Sequence, residues 1–178
     1  DLLQACRDLV KKNPDKHLID VAFGLNNLGS LYLDQQDPVG AEVYYQESLQ
    51  IYRELAKDNP SQRLVDFIWA LGNLSSLYID IMSQATPESQ SLEERGIYQK
   101  KLVEFTEELS PLIPQLKETN DQLAGRYGSL SWYQLFAADF VGAEESARTA
   151  LELSEQAEWV NTNLALSLLY QGNFKAAK

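Results

Sequence analysis

The chain has 178 residues, 44% of them hydrophobic and 23% charged, which is the composition of an ordinary globular protein about one domain long. Its 15 bases against 26 acids leave a net charge of −11, which argues against a nucleic-acid backbone as the main partner, because phosphate binding needs a basic face. One cysteine (Cys6) excludes an internal disulfide framework, and one histidine (His17) removes most zinc and triad chemistry.

No stretch approaches the ~18 consecutive apolar residues of a membrane span, so membrane insertion is not expected. The chain starts at Asp1 and its one methionine is Met82, so a processed or trimmed piece is expected, in which a signal peptide would be invisible. Cysteine poverty fits the cytoplasm, the expected location, and also fits a bacterial periplasm.

Residues 1–12 read as a helix closed by Asn13-Pro14, since the residue before a proline is pushed out of the helical region. A second helix is expected near 16–34, where Leu25, Leu28, Leu31 and Tyr32 recur three or four apart on one face. Asp37-Pro38 ends it and opens the next, with proline in an early turn where its missing N–H is harmless. That next helix, near 38–57, carries the stripe Ala41, Tyr44, Tyr45, Ser48, Leu49 and Tyr52, and Asn59-Pro60 closes it. A pair near 62–82 and 91–109 follows, joined by a polar loop over 83–91. After Ser110-Pro-Leu-Ile-Pro114 comes a pair near 116–136 and 140–155, then a helix over 157–170, with Phe174–Lys178 beginning its partner. About eight helices in antiparallel pairs result.

The chain repeats itself. Residues 1–34 laid on residues 47–80, a shift of 46, agree at 16 of 34 positions. Asp37-Pro-Val-Gly-Ala-Glu42 recurs as Asp139-Phe-Val-Gly-Ala-Glu144. With a shift of 34, residues 130–143 match 164–177 at Leu130/Leu164, Leu135/Leu169, Phe140/Phe174 and Ala143/Ala177. Helix pairs of this kind stack so that each touches only its neighbours along a continuous core.

These units resemble the tetratricopeptide repeat (TPR). Leu28, Gly29, Tyr32, Ala41 and Tyr45 fit one repeat. Leu130, Ser131, Asp139, Phe140, Ala143, Ala147 and Ala150 fit another, and Leu164, Ala165, Gly172, Asn173, Phe174 and Ala177 a last one cut by the chain end. Leu74, Ser75, Tyr78, Tyr98 and Leu102 form a divergent repeat without the alanine at the helix contact. The 46-residue spacing is similar to the longer repeats of kinesin light chains. The resemblance implies an all-α fold, a right-handed superhelical solenoid of antiparallel helix pairs. Its segments would be 1–15 (a second helix), 16–60, 61–114, 115–156 and 157–178. Ala41, Ala143 and Ala177 are then explained by close helix packing.

By the same resemblance, the first helices line a concave groove that holds a peptide or protein segment. Its positions are Asn26, Asn27, Ser30, Leu33 and Asp34, then Trp69, Gly72, Asn73, Ser76 and Asp80. Gly125, Ser129, Trp132 and Phe136 follow, then Trp159, Thr162, Asn163, Leu166 and Tyr170. Asn27, Asn73 and Asn163 share one position, and an amide can grip an extended backbone or bond a neighbouring helix. The tryptophans supply rigid contact area or partial core. A carboxylate clamp for the Glu-Glu-Val-Asp tail of chaperones would need basic residues, but the matching positions read Asn26, Ser30, Asn73, Gly125 and Ser129. Asp34 and Asp80 make a neutral or basic peptide the better partner. Six acids against Arg148 between Asp139 and Glu158 give a local net of −5, read as a solvated face or a second docking surface. Alternatives to peptide capture are a scaffold that self-associates through its repeat ends, or the regulatory arm of a larger protein.

No catalytic, cofactor or metal set emerges. Gly24-Leu-Asn-Asn-Leu-Gly29-Ser30 has phosphate-loop spacing but no lysine, and it falls inside a helix. The pairs Glu93/Glu94, Glu107/Glu108 and Glu144/Glu145 point ~100° apart on a helix and do not share a site. Cys6 reads as a small core residue and Asn73-Leu-Ser75 as a chance glycosylation sequon in mid-helix.

Overall fold

A computed structural model describes residues 14–58, 60–84, 92–173 and 175–177. Seven α-helices run through them: α1 (Pro14–Asp34), α2 (Pro38–Asp58), α3 (Pro60–Gln84), α4 (Leu92–Leu109), α5 (Asn120–Phe136), α6 (Phe140–Leu153) and α7 (Asn161–Tyr170). No strand occurs among the described residues, so the protein is all-α. The expected helix over 1–12, with Cys6, lies outside the described residues, as do most of the 83–91 loop and Phe174. The chain divides into two units, one ending at Leu77 and one starting at Tyr78.

Three helix ends close the same way. The N–H of Gln36 donates to Leu33 O (2.9 Å) and that of Asp37 to Tyr32 O (2.9 Å). Ala138 and Asp139 do the same to Leu135 O and Gln134 O, and Gly172 and Asn173 to Leu169 O and Leu168 O. This is the Schellman closure, and it needs one residue in the left-handed region. Gln36 (φ 61°), Ala138 (φ 62°) and Gly172 (φ 80°) occupy that position. Only glycine adopts it without a Cβ penalty. Asp37 and Asp139 then cap the following helices, accepting from Gly40 N (2.8 Å) and Gly142 N (2.9 Å). Ala138→Gly is therefore expected to stabilise the protein by roughly 0.5–1 kcal/mol, and Gly172→Ala to destabilise it by a similar amount. Paired urea titrations check this.

Three helix ends in the second unit differ from the sequence expectation. α5 starts at Asn120 rather than 116, because Ile113–Gln115 form a 3-10 turn and Leu116 is extended (φ −72°, ψ 137°). Thr119 then builds a capping box with Gln122, whose side chain accepts from Thr119 N at 3.0 Å. α6 ends at Leu153, where Ser154 turns extended (φ −152°, ψ 128°) and its Oγ accepts from Gln156 N. A 3-10 turn over Glu155–Val160 delays α7 to Asn161.

In the first unit, Leu25, Ala41, Tyr45 and Leu49 are buried between α1 and α2. A Cβ on Gly29 would meet the Tyr45 ring at 2.6 Å, so glycine there allows the close approach. The apolar side of α3 (Leu64, Phe67, Ile68, Leu71, Leu74) completes this core. α3 is long and apolar enough over Arg63–Gln84 to cross a membrane by length and composition, but 56% of the 18-residue apolar window within it is buried in the fold. The core helix of a globular protein has the same character. In the second unit, Tyr78 packs against Tyr98 and Phe105, and Ala124, Ala147, Ala150, Ala157 and Val160 form one cluster.

Burial pushes the Tyr52 phenol up to about 12, and the nearby Asp66 carboxylate adds to the rise. Below about pH 10, the free phenol's pKa, folded and unfolded chains both keep the proton. Between there and about 12 only the unfolded chain ionises, so stability is lost as pH rises through this window. Tyr52→Phe is expected to lose less stability than the natural chain between roughly pH 9 and pH 11, read from urea midpoints.

Candidate functional site

α1 presents Asp20, Phe23, Asn27, Ser30 and Asp34 at steps of three and four residues. At ~100° per residue these steps keep all five within a narrow arc of the helix surface. α3 repeats the row 46 residues later as Asp66, Trp69, Asn73, Ser76 and Asp80. Each position keeps its chemistry: carboxylate, aromatic ring, amide, hydroxyl, carboxylate.

Two contacts bring the rows together within the first unit. Phe23 stacks on Trp69, ring centroids 6.4 Å apart and planes 21° apart. Asn73 Nδ2 donates to Asn26 Oδ1 at 3.0 Å. Both contacts join the same level of each helix, so α1 and α3 run parallel and side by side. Phe23 stays 54% exposed and Trp69 38% exposed, large fractions for aromatic rings. Asn27, Ser30, Ser76 and Asp34 are exposed beside them, and Ser30 Oγ lies 3.0 Å from the Tyr45 hydroxyl. Asp80 is exposed further along α3, in the second unit. Phe23 is absent from the groove positions named from the sequence, although the 46-residue shift sets it on Trp69.

The asparagines divide. Asn26 is buried and accepts from Asn73, while Asn163, also buried, donates its Nδ2 to Gly128 O at 3.2 Å. Asn26 and Gly128 are 102 residues apart, the offset that also relates Asp37 to Asp139. Asn73 and Asn163 therefore reach back to one equivalent point on the preceding first helix. Asn27 alone of the three projects to solvent.

The second unit carries the remaining candidates. Trp132, 37% exposed, meets Phe136 edge-on at 5.0 Å. Trp159 lies on the 3-10 turn rather than on a helix, with its ring filling the space that a Gly128 side chain would need. Tyr170 stacks on Phe140 at 4.7 Å and is 66% exposed. On the acidic segment, Asp139 caps α6, while Glu144 accepts from Arg148 Nε (2.8 Å) and Gln171 Nε2 (2.9 Å). These hydrogen bonds hold the Glu144 carboxyl below its ordinary pKa. Glu145, Glu152, Glu155 and Glu158 are exposed.

A family model described as Tetratricopeptide repeat matches residues 25–61, the C-terminal half of α1 and all of α2. No curated protein matches the chain.

Proposed function

Because the chain is a tetratricopeptide-repeat protein, and such repeats mediate protein–protein interaction, we propose that it captures a peptide segment on the exposed rows of α1 and α3. The repeated row carries the reading. A side-by-side pair of helices showing an aromatic ring and a hydroxyl at the same levels, with the exposed Asn27 amide between them on α1, offers matched contacts along an extended chain. Aromatic rings held by stacking lose little entropy on binding and bury large areas, as interface anchors do. Neither row carries a base that could hold a carboxylate terminus, so chaperone tails ending in Glu-Glu-Val-Asp are not the ligand.

A random 12-residue peptide library displayed on phage tests this. Peptides selected on the natural chain are expected to lose about tenfold or more in affinity against Phe23→Ala/Trp69→Ala, a change worth ~1.4 kcal/mol. Circular dichroism is expected to show the double variant folded. Binding unchanged by that variant would refute the reading. If mass in light scattering rises with concentration regardless of the variant, self-assembly takes its place.

A further inference from the structure

We infer that the segment held on this face is cationic, with an arginine side chain laid on the Phe23–Trp69 stack. This rests on the reading of that face as a peptide site and adds the chemistry of its occupant. Three observations carry it. First, the rings are open to solvent and already stacked on each other, and indole is the best aromatic partner for a cation. Second, carboxylates flank the rings within the first unit: Asp20 and Asp34 on α1, and Asp66 on α3. Each lies three residues before or eleven after its ring, about 4.5 Å and ~16 Å along the axis. Third, neither helix carries a lysine or arginine after this point, from Leu18 to Asp34 or from Leu64 to Gln84.

The bases that do occur, Lys16 and His17 on α1 and Arg63 on α3, precede the row in sequence. Arg63 pairs with Asp66 at 3.4 Å, and His17 lies 3.8 Å from Asp20. Asp20 keeps 79% of its side chain exposed. An acidic peptide on the rings would set its charge against these carboxylates, with no base on the row to meet it. A cationic one gains the ring quadrupole and the carboxylates together, and the overall charge of −11 speeds its approach. Arginine fits better than lysine, because its planar guanidinium stacks on indole and forks two hydrogen bonds to a carboxylate.

The phage selection discriminates the two levels of the claim. Enriched 12-residue peptides are expected to carry net positive charge and at least one arginine. Synthetic fluorescein-labelled copies are expected to bind several-fold more weakly when that arginine becomes lysine, and to lose binding when it becomes glutamate. Asp20→Asn/Asp34→Asn is expected to weaken them about tenfold without lowering the melting temperature, and Trp69→Phe by a smaller factor. Raising sodium chloride is expected to weaken binding as well. Acidic or uncharged peptides that depend on Phe23 and Trp69 would overturn the cationic occupant and leave the docking face standing. Cationic peptides indifferent to Trp69→Ala and to Asp34→Asn would overturn it too, moving the cation site elsewhere. If no selected peptide depends on either ring, the docking face itself falls.

Discussion

Replacing Ala143 by leucine is expected to cost roughly 1–3 kcal/mol and to lower the melting temperature by about 3–10 °C. Ala143 has no exposed surface, and its carbonyl accepts a hydrogen bond from Ser131 Oγ at 2.8 Å. A side-chain hydroxyl of α5 thus sits directly on the backbone of α6, which is possible only where no larger side chain stands between them. Ala147 and Ala150 continue the stripe at steps of four and three residues, and both are fully buried. Three added carbons at 143 must displace α5, break the Ser131 bond, or take a strained rotamer. Val141, two residues away and 58% exposed, is the control: Val141→Leu is expected to leave the melt unchanged. A thermal melt of both variants decides it. An Ala143→Leu protein that melts with the natural chain would mean the two helices are not in close contact here.

The repeat architecture was legible because it rests on local chemistry read twice. Asp37 and Asp139 each cap a helix after a left-handed residue, and the recurrence of Asp-x-Val-Gly-Ala-Glu announced both turns. The late start of α5 was also written in the chain, since Thr119-Asn-Asp-Gln122 is a capping-box pattern, but the apolar run through Leu116 masked it. The 3-10 turn over Glu155–Val160 was not legible. Its cause is the Ser154 hydroxyl, which bonds both Gln156 N and Asp121 Oδ1, and the second partner sits 33 positions away. The candidate face shows the same division. Helical spacing placed Asn27, Ser30 and Asp34 on one strip, whereas the inward turn of Asn26 and Asn163 depends on where the preceding first helix lies. Phe23 needed only the 46-residue shift, which matches phenylalanine to tryptophan and hides the kinship in an identity count.

The paired amides of Asn26 and Asn73 are expected to behave as one unit of stability. Asn26 is 2% exposed, and its Oδ1 accepts from Asn73 Nδ2 at 3.0 Å across the α1–α3 contact. Removing Asn73 leaves that oxygen buried without its donor, at a cost of about 1–3 kcal/mol. Removing Asn26 instead strands the Asn73 amide and opens a small void, at a similar cost. Once one partner is gone the other has less to lose. The double variant Asn26→Ala/Asn73→Ala is therefore expected to fall short of the sum of the singles by roughly 0.5–1.5 kcal/mol. Urea unfolding of the four proteins closes the cycle. Asn27→Ala supplies the contrast. Its side chain is exposed one residue further on, so its stability is expected to stay within about 0.5 kcal/mol while capture of the selected peptide weakens. Strictly additive singles would show that the amides do not couple. A stability loss at Asn27 matching that at Asn26 would show that both asparagines hold helices and neither is free to hold a ligand.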